Sequence, residues 1–587
     1  MIETDRQLRD PITFEVFRNA VSSLADEMAI SVLRTAHSQI IAESIDFSTA
    51  LCDASGRVIA QGNTCPVHLG AVPAAMEALL SRYGDSINEA DVFVTNDPDE
   101  GGMHLPDIFV MKPVHVANQL VGFAVCIAHH ADVGGRVPGG GAVDSTEIFQ
   151  EGLQIPLMKL EDRGVVNETL MRMLERNVRV PALVLGDLAA QLNACRTGEI
   201  GLIAQVERHG FNGFQALVDE LLDYSDRLLT ARLLELGDTS CAFEDCIDDD
   251  GLGSGRIPLA VRITVSNGRM HVDFTGSAPQ VPSALNCTPS FTKSGAYAAI
   301  QAALGGDIPS NAGFYRPITF TIPPVSILDG RRPAARAARG LIGYRIVDAV
   351  WGALAQVMPD TIPAAGDGGP DSLTLAVVDE DGRSILFLDP LFGAWGARPD
   401  RDGLDGVSPL AGNLSNTPVE DLERTELVEV QRYGFVEDTG GAGRWRGGLS
   451  IIREHRLLRG PAVLQIRSDR RVHPPYGLEG GLPGGPSWNV LNPGPKQAVL
   501  PSKVTRTIEA GQVIRHVTAG GGGHGNPLDR GPEMVRQDVI DGKVSAKAAR
   551  HLYGVVVTAA GELNEKATQR RRASLRARQS TIGGGVR

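Results

Sequence analysis

The chain has 587 residues, of which 42% are hydrophobic and 21% charged, with a formal net charge of −14 at pH 7. That length exceeds one simple core and predicts three or four domains at ~150 residues each. The negative charge argues against a nucleic-acid or anionic-membrane surface, either of which would favour basic patches.

The start, Met1-Ile2-Glu3-Thr4-Asp5-Arg6, carries acids where a signal peptide would carry a basic and then an apolar run. Residues 12–36 then read as an amphipathic helix, with Phe14, Phe17, Val21, Leu24, Met28 and Val32 at spacings of three and four. Phe47–Asp53 and Gly56–Ala60 predict a hairpin turning at Asp53-Ala54-Ser55-Gly56. A helix over 73–83 is expected to end at Gly84. Ile108–Met111 and Val121–Ala128 read as strands, the second apolar enough to be a buried central one.

Residues 168–200 and 214–236 predict helices, and the acidic run Glu244–Gly251 reads as a linker. Strands follow over Ala260–Val265 and Met270–Phe274, then helices near 290–304 and 343–357. From about residue 430 the pattern becomes β-like, with many glycine and proline punctuations. The whole predicts a mixed α/β, multidomain fold. Its parts are an α/β N-terminal domain over 1–245, a middle α/β domain over 246–425 and a β-rich, glycine-rich domain over 426–587. The basic run Arg570-Arg571-Arg572, with Lys566, Arg576 and Arg578, reads as a solvated or disordered tail.

Seven cysteines (52, 65, 126, 195, 241, 246 and 287) are scattered without a C-x-x-C spacing. They make neither a disulfide framework nor a thiolate zinc site, and they fit a reducing cytosol. No window reaches ~18 uninterrupted apolar residues. A cytoplasmic location is the expectation.

The chemistry-bearing residues cluster around the two central strands. Asn96-Asp97-Pro98 and Gly101-Gly102-Met103-His104-Leu105-Pro106-Asp107 precede the first; Ala128-His129-His130-Ala131-Asp132 ends the second. Imidazole and carboxylate ligands at such turns suit a divalent metal held for chemistry. Pro106 breaks any helix between His104 and Asp107, so a turn is expected to bring both to one side. Strand alternation sends His129 and His130 to opposite faces, and spacing does not say which one joins the site. Asp46, opening the first hairpin strand, can add a carboxylate. Elsewhere, Gly520–Gly525 formally satisfies G-x-G-x-x-G, but the following Asn526-Pro527 opens no long helix, so it reads as structural looping. Cys287 and Ser290 lack a nucleophile context. Gly139-Gly140-Gly141 is either a lid or a plain long loop. No G-x-x-x-x-G-K-[ST] is present, so ATP, if used, is not bound here through a Walker loop.

These motifs resemble those of the hydantoinase B/oxoprolinase family. The likeness is carried by Asp10–Val16, Ser44–Ser48, Pro66-Val67-His68-Leu69-Gly70, Asn96–Asp107, Ala128–Gly135, Ser145–Gly152, Gly186-Asp187-Leu188 with Gln191, Asp273–Gly276, Arg345–Asp348, Gly440–Arg444 and Gly520–Gly525. It implies a B-type subunit of an ATP-dependent enzyme that opens hydantoin, 5-oxoproline or a lactam. An A-type partner would bind ATP and Mg and phosphorylate the carbonyl oxygen, in an A2B2 hetero-oligomer. The resemblance also implies a divalent metal (Mn, Zn or Fe) held by Asp46, His104, Asp107 and His129. It alone selects His129 over His130. His130, Asp132 and Asp97 are the candidate catalytic residues, as ligand orienters or proton acceptor. Alternatives are a subunit of an acetone- or acetophenone-type carboxylase, and a non-catalytic assembly subunit. Asp99 and Glu100 stand where the family often has an aromatic residue and a leucine, and an altered site entrance is expected from that acidic pair.

Overall fold

The computed structural model describes residues 10–583; the acidic opening Met1–Arg6 lies outside them. Helix α1 (Pro11–Thr35) begins at its capping residue, for the Asp10 carboxylate accepts from the Ile12 amide. Its buried stripe is the one the sequence spacing predicts, Phe14 through Val32. Helix α2 (Val72–Tyr83) stops at Gly84 as expected. The helix expected over 168–200 is instead two, Glu168–Asn177 and α3 (Pro181–His209). Pro181 divides them, because a proline disfavours helical backbone in the residue before it. Helix α4 spans Phe211–Leu236.

The first sheet holds β1 (Phe47–Asp53), β2 (Val58–Gln61), β3 (Val92–Thr95), β4 (Asp107–Val116), β5 (Gln119–His129), β6 (Met158–Asp162) and β7 (Val165–Val166). Its order is β2-β1-β5-β4-β3-β6-β7. Both faces are covered. On β5, Ala124, Cys126 and Ala128 join α1 and α3 in one core, whereas Phe123, Val125 and Ile127 join α2 and apolar residues between Leu229 and Ala411 in another. This two-sided burial explains the uninterrupted apolar run. Each large side chain so buried contributes ~1.5–3 kcal/mol of transfer free energy.

The second sheet, ordered β11-β10-β9-β8, contains β8 (Thr239–Ile247), β9 (Ile257–Ser266), β10 (Arg269–Asp273) and β11 (Ile318–Thr321). Helices α5 (Pro289–Ile300) and α6 (Gly340–Leu354) share its core. The third sheet runs β13-β12-β16-β19, with β12 (Asp371–Val378), β13 (Ser384–Leu391), β16 (Ala462–Arg467) and β19 (Lys503–Ile508). The fourth, β14-β15-β20-β17-β18, contains β14 (Val428–Phe435), β15 (Ile451–Leu457), β17 (Trp488–Leu491), β18 (Ala498–Leu500) and β20 (Val513–Val517).

The acidic run 244–251 is not a linker. Asp245 accepts from both terminal nitrogens of Arg470 at 3.1 and 3.0 Å. Asp248 accepts from the backbone amides of Arg471, Val472 and His473. Buried carboxylates need such partners, and these come from more than two hundred residues away. The boundary expected at 245/246 accordingly falls inside β8, and that at 425/426 divides the third sheet, since β12 pairs with β16. The basic tail forms helix α7 (Glu565–Gly583), where Arg572 donates to the carbonyls of Tyr553 and Arg530. Arg571, Arg572 and Arg576 meet chain carbonyls, while Lys566, Arg570 and Arg578 stay exposed to solvent. Among the described residues no helix is long and apolar enough to cross a membrane.

Candidate metal centre

Strand register assembles the site. Across β5, Phe47 of β1 pairs with Ala128 and Asp107 of β4 pairs with His129. The His129 amide donates to the Asp46 carbonyl at 3.0 Å. Asp46, His129 and Asp107 therefore end three neighbouring strands in one row. By alternation they share the face of Ala50, Ile127 and Phe109, on which the larger core packs. Ile45 precedes this row at φ 63, an unfavourable conformation for a β-branched residue, held here by the surrounding packing. His104 comes from the turn before β4, and its ring lies 5.0 Å from that of His129.

His104, Asp107 and His129 form one group of converging ligand atoms; Asp46, Cys65 and His68 form a second beside it. His68 joins the two, with Nε2 at 3.5 Å from Asp46 Oδ1 and 4.0 Å from Asp107 Oδ1. The Ser48 hydroxyl donates to the Cys65 carbonyl (2.9 Å) and so accepts from His68 Nδ1 (3.3 Å). His68 Nδ1 is thus the donor to Ser48, and Nε2 is the ring atom that faces the two carboxylates. Asp107 Oδ1 and His129 Nδ1 are buried without a hydrogen-bond partner, and His104 Nδ1 stands 2.8 Å from Asp107 Oδ2. Such orphaned polar atoms are rare in folded proteins, and a cation would satisfy both. The donor set, imidazole nitrogen and carboxylate oxygen, suits a borderline divalent metal. The Cys65 thiol donates to the Ala411 carbonyl at 3.7 Å.

Burial, reinforced by Arg339, lowers the His104 pKa to about 4, and burial with the neighbouring His104 lowers that of His129. Both imidazoles are thus neutral ligands at pH 7. Burial by itself would raise Asp107, but Arg339, His104 and His68 hold its carboxyl well below the usual range. Asp46 is pushed upward, by burial and by Asp107, although His68 opposes this. The Arg339 guanidinium bonds Asp107 Oδ2 and stacks 4.1 Å over the Phe291 ring.

The row opens into a narrow chamber whose far wall includes Tyr344, Phe392, Gln465 and Arg467. Gly139 and Gly140, with φ of 75° and 64°, line its rim, so the glycine loop is part of the wall. Three expected catalytic residues do not line the chamber. His130 faces the opposite side of β5, where Nε2 meets Gln191 Oε1 at 2.9 Å; adjacent strand residues cannot share a face. Asp132 accepts from the Gly139 amide and is paired with Arg179, so it positions the glycine loop. Asp97 caps the short helix Pro98–Glu100 and pairs with Arg332 at 3.0 Å. Asp99 pairs with Arg332 and Arg336, and Glu100 with Arg82; neither residue of the acidic pair lines the chamber. Burial lifts the Cys287 thiol to about 12, in keeping with its lack of a nucleophile context.

Sequence reasoning did not assign His68, Arg339 or Arg467 to the site. His68 carried a faint signal as a lone polar side chain inside an apolar stretch, whereas Arg339 is one of several arginines after Arg331, Arg332 and Arg336. Arg467 ends an alternating strand and carried none.

A sequence profile described as hydantoinase B/oxoprolinase matches residues 10–527. The beta subunit of a caprolactamase from Pseudomonas jessenii is 32% identical, over 96% of this chain and 99% of that protein. The crystal structure of the ATP-dependent caprolactamase from Pseudomonas jessenii superposes with a TM-score of 0.91 at 30% identity, covering 97% of this chain and 100% of that one. A nucleotide-free acetone carboxylase structure superposes with a TM-score of 0.92 at 18% identity, covering 99% of this chain and 84% of that one. That last likeness concerns the fold alone. With motif, profile and full-length likeness in agreement, the chain belongs to the hydantoinase B/oxoprolinase family.

Proposed function

We propose that this chain is the metal-bearing subunit of an ATP-dependent cyclic amide hydrolase, opening a hydantoin, 5-oxoproline or lactam ring with an ATP-binding A-type subunit. The observation that carries the reading is the convergence of ligand atoms from Asp46, His68, His104, Asp107 and His129 beside a buried chamber, with Asp107 Oδ1 and His129 Nδ1 unpartnered. An amide carbonyl is a poor electrophile because resonance stabilises it. Phosphorylation of its oxygen by the partner, with Mg and ATP, would supply a leaving group. A divalent manganese, zinc or iron ion supplies Lewis acidity and lowers the pKa of water to near neutrality.

The chain's own residues prepare for this. Arg339 keeps Asp107 ionised, Ser48 holds His68 with its Nε2 toward the row, and burial keeps His104 and His129 neutral, so Asp107, His104 and His129 present lone pairs at pH 7. Apolar walls from Phe291 and Phe392 limit bulk water. Two observations support the partner: the caprolactamase relative is a beta subunit, which implies a companion chain, and no Walker loop is present here.

The test is metal content of the purified chain, wild type beside His104→Ala, followed by ATP-dependent turnover of candidate rings with the co-expressed partner. Near-stoichiometric metal in the wild type and its loss in the variant are expected. Equal, negligible metal in both would overturn the reading, and turnover that required bicarbonate would replace hydrolysis with carboxylation.

A further inference from the structure

The wall opposite the ligand row is built by the register of two strands from the third sheet. On β12 and β16, Ser372 pairs with Arg467 and Thr374 with Gln465. All four line the chamber. Residues two apart on a strand share a face, so Gln465 and Arg467 stand side by side with the two hydroxyls beside them.

Arg467 is the unbalanced charge of this wall. Asp107 already occupies Arg339, and Asp389 is taken by Arg453 at 2.6 Å and His455 at 3.0 Å. Among the described residues Arg467 has no carboxylate within ion-pair distance; one nitrogen donates to the Ala337 carbonyl at 3.2 Å and Nε is buried without a partner. Gln465 donates to the Pro138 carbonyl at 2.9 Å, and its Oε1 is also unpartnered. An arginine retains its charge in such a place, and an unpaired buried guanidinium is costly. A divalent cation would be balanced by Asp46 and Asp107, which leaves Arg339 and Arg467 as net positive charge.

We propose that Arg467, beside the Ser372 and Thr374 hydroxyls, binds an oxyanion of the substrate across the chamber from the ligand row. The occupant is an anionic cyclic amide species, bearing either a carboxylate on the ring or a phosphoryl group on the activated oxygen. A planar guanidinium meets either one in a two-point hydrogen-bonded contact. Where the anion is a ring carboxylate, Arg467 is a specificity-determining residue: it admits charged rings in preference to neutral ones of the same size. The inference rests on the cyclic-amide reading for the ring but not for the anion.

The experiment is calorimetric titration of the full-length, manganese-supplied chain with 5-oxoproline, with 2-pyrrolidinone (the same ring without the carboxylate) and with inorganic phosphate. Wild type, Arg467→Gln and Arg467→Lys are compared, with metal content and urea unfolding as controls for the fold. At least one anion is expected to bind wild type and to weaken 10-fold or more in Arg467→Gln, with partial recovery in Arg467→Lys and no change for 2-pyrrolidinone. Loss in the 5-oxoproline arm alone identifies a ring carboxylate, and loss in the phosphate arm alone a phosphoryl group. If wild type binds neither anion, or binds both independently of Arg467, the proposal is overturned. Metal loss in His104→Ala and ring turnover are read separately, so failure of the hydrolase reading leaves a distinct signature.

Discussion

The two carboxylates of the ligand row should respond in opposite directions to the same isosteric change. Asp107→Asn removes the charge that neutralises Arg339, whose side chain is only 6% exposed. Breaking a buried pair from one side costs ~3–5 kcal/mol, and the lower end applies because asparagine can still accept one bond from the guanidinium. Asp46 has no arginine ion pair among the described residues, and its charged form is disfavoured by burial and by Asp107. The sign follows from linkage. The lowered pKa of Asp107 contributes stability that is present above the ordinary carboxylate range and lost as pH falls through the folded value. The raised pKa of Asp46 contributes stability only at low pH, and it is lost as pH rises past the ordinary value. At pH 7 and without metal, Asp107→Asn should therefore be destabilised by ~3 kcal/mol, whereas Asp46→Asn should equal or exceed wild type. Urea unfolding of chelator-treated protein, followed by tryptophan fluorescence, measures both. A shift of the two variants in the same direction, or a wild-type midpoint for Asp107→Asn, would refute this account of the row. With metal restored both should fall below wild type, because each loses a ligand.

Glu151 is buried, accepts from the Arg336 and Ala337 amides, and is lifted by burial to about 8 from 4.5. The folded state thus holds this proton between those values, and stability is lost as pH rises through that window. Glu151→Gln should match wild type near pH 4.5 and exceed it progressively toward pH 8, by up to ~5 kcal/mol; a pH-independent difference in melting temperature would sink the argument. At Gly521 an added Cβ would stand 2.1 Å from the Trp395 carbonyl oxygen, so Gly521→Ala should cost at least ~1–3 kcal/mol through forced backbone movement. A thermal melt superimposable on wild type would contradict that packing.

Some of this was written locally. The stripe of α1 and its Asp10 cap, the Gly84 stop and the hairpin of β1 and β2 depend on neighbours within a turn or two. Other readings went astray where distant partners changed the meaning of a segment. The acidic run 244–251 looks like solvated linker until Arg470 and the 471–473 amides are brought against it. The basic tail looks disordered until Arg572 finds two carbonyls. Asp99 and Glu100 could be placed only once Arg332, Arg336 and Arg82 were seen to pair with them.

The candidate site divides in the same way. The sequence by itself determined that His104 and Asp107 lie at one turn, that His129 and His130 face opposite ways, and that a buried strand separates the two clusters, because alternation and turn chemistry are local properties of the backbone. Only the tertiary structure decided the phase: the pairing of Asp107 with His129, and of Phe47 with Ala128, sets Asp46, His129 and Asp107 in one row and turns His130 toward Gln191. Only it brought in His68, Arg339 and Arg467, which lie up to about four hundred residues from the row in the chain. Register and long-range packing are fixed by which faces bury against each other, and no local pattern encodes that choice.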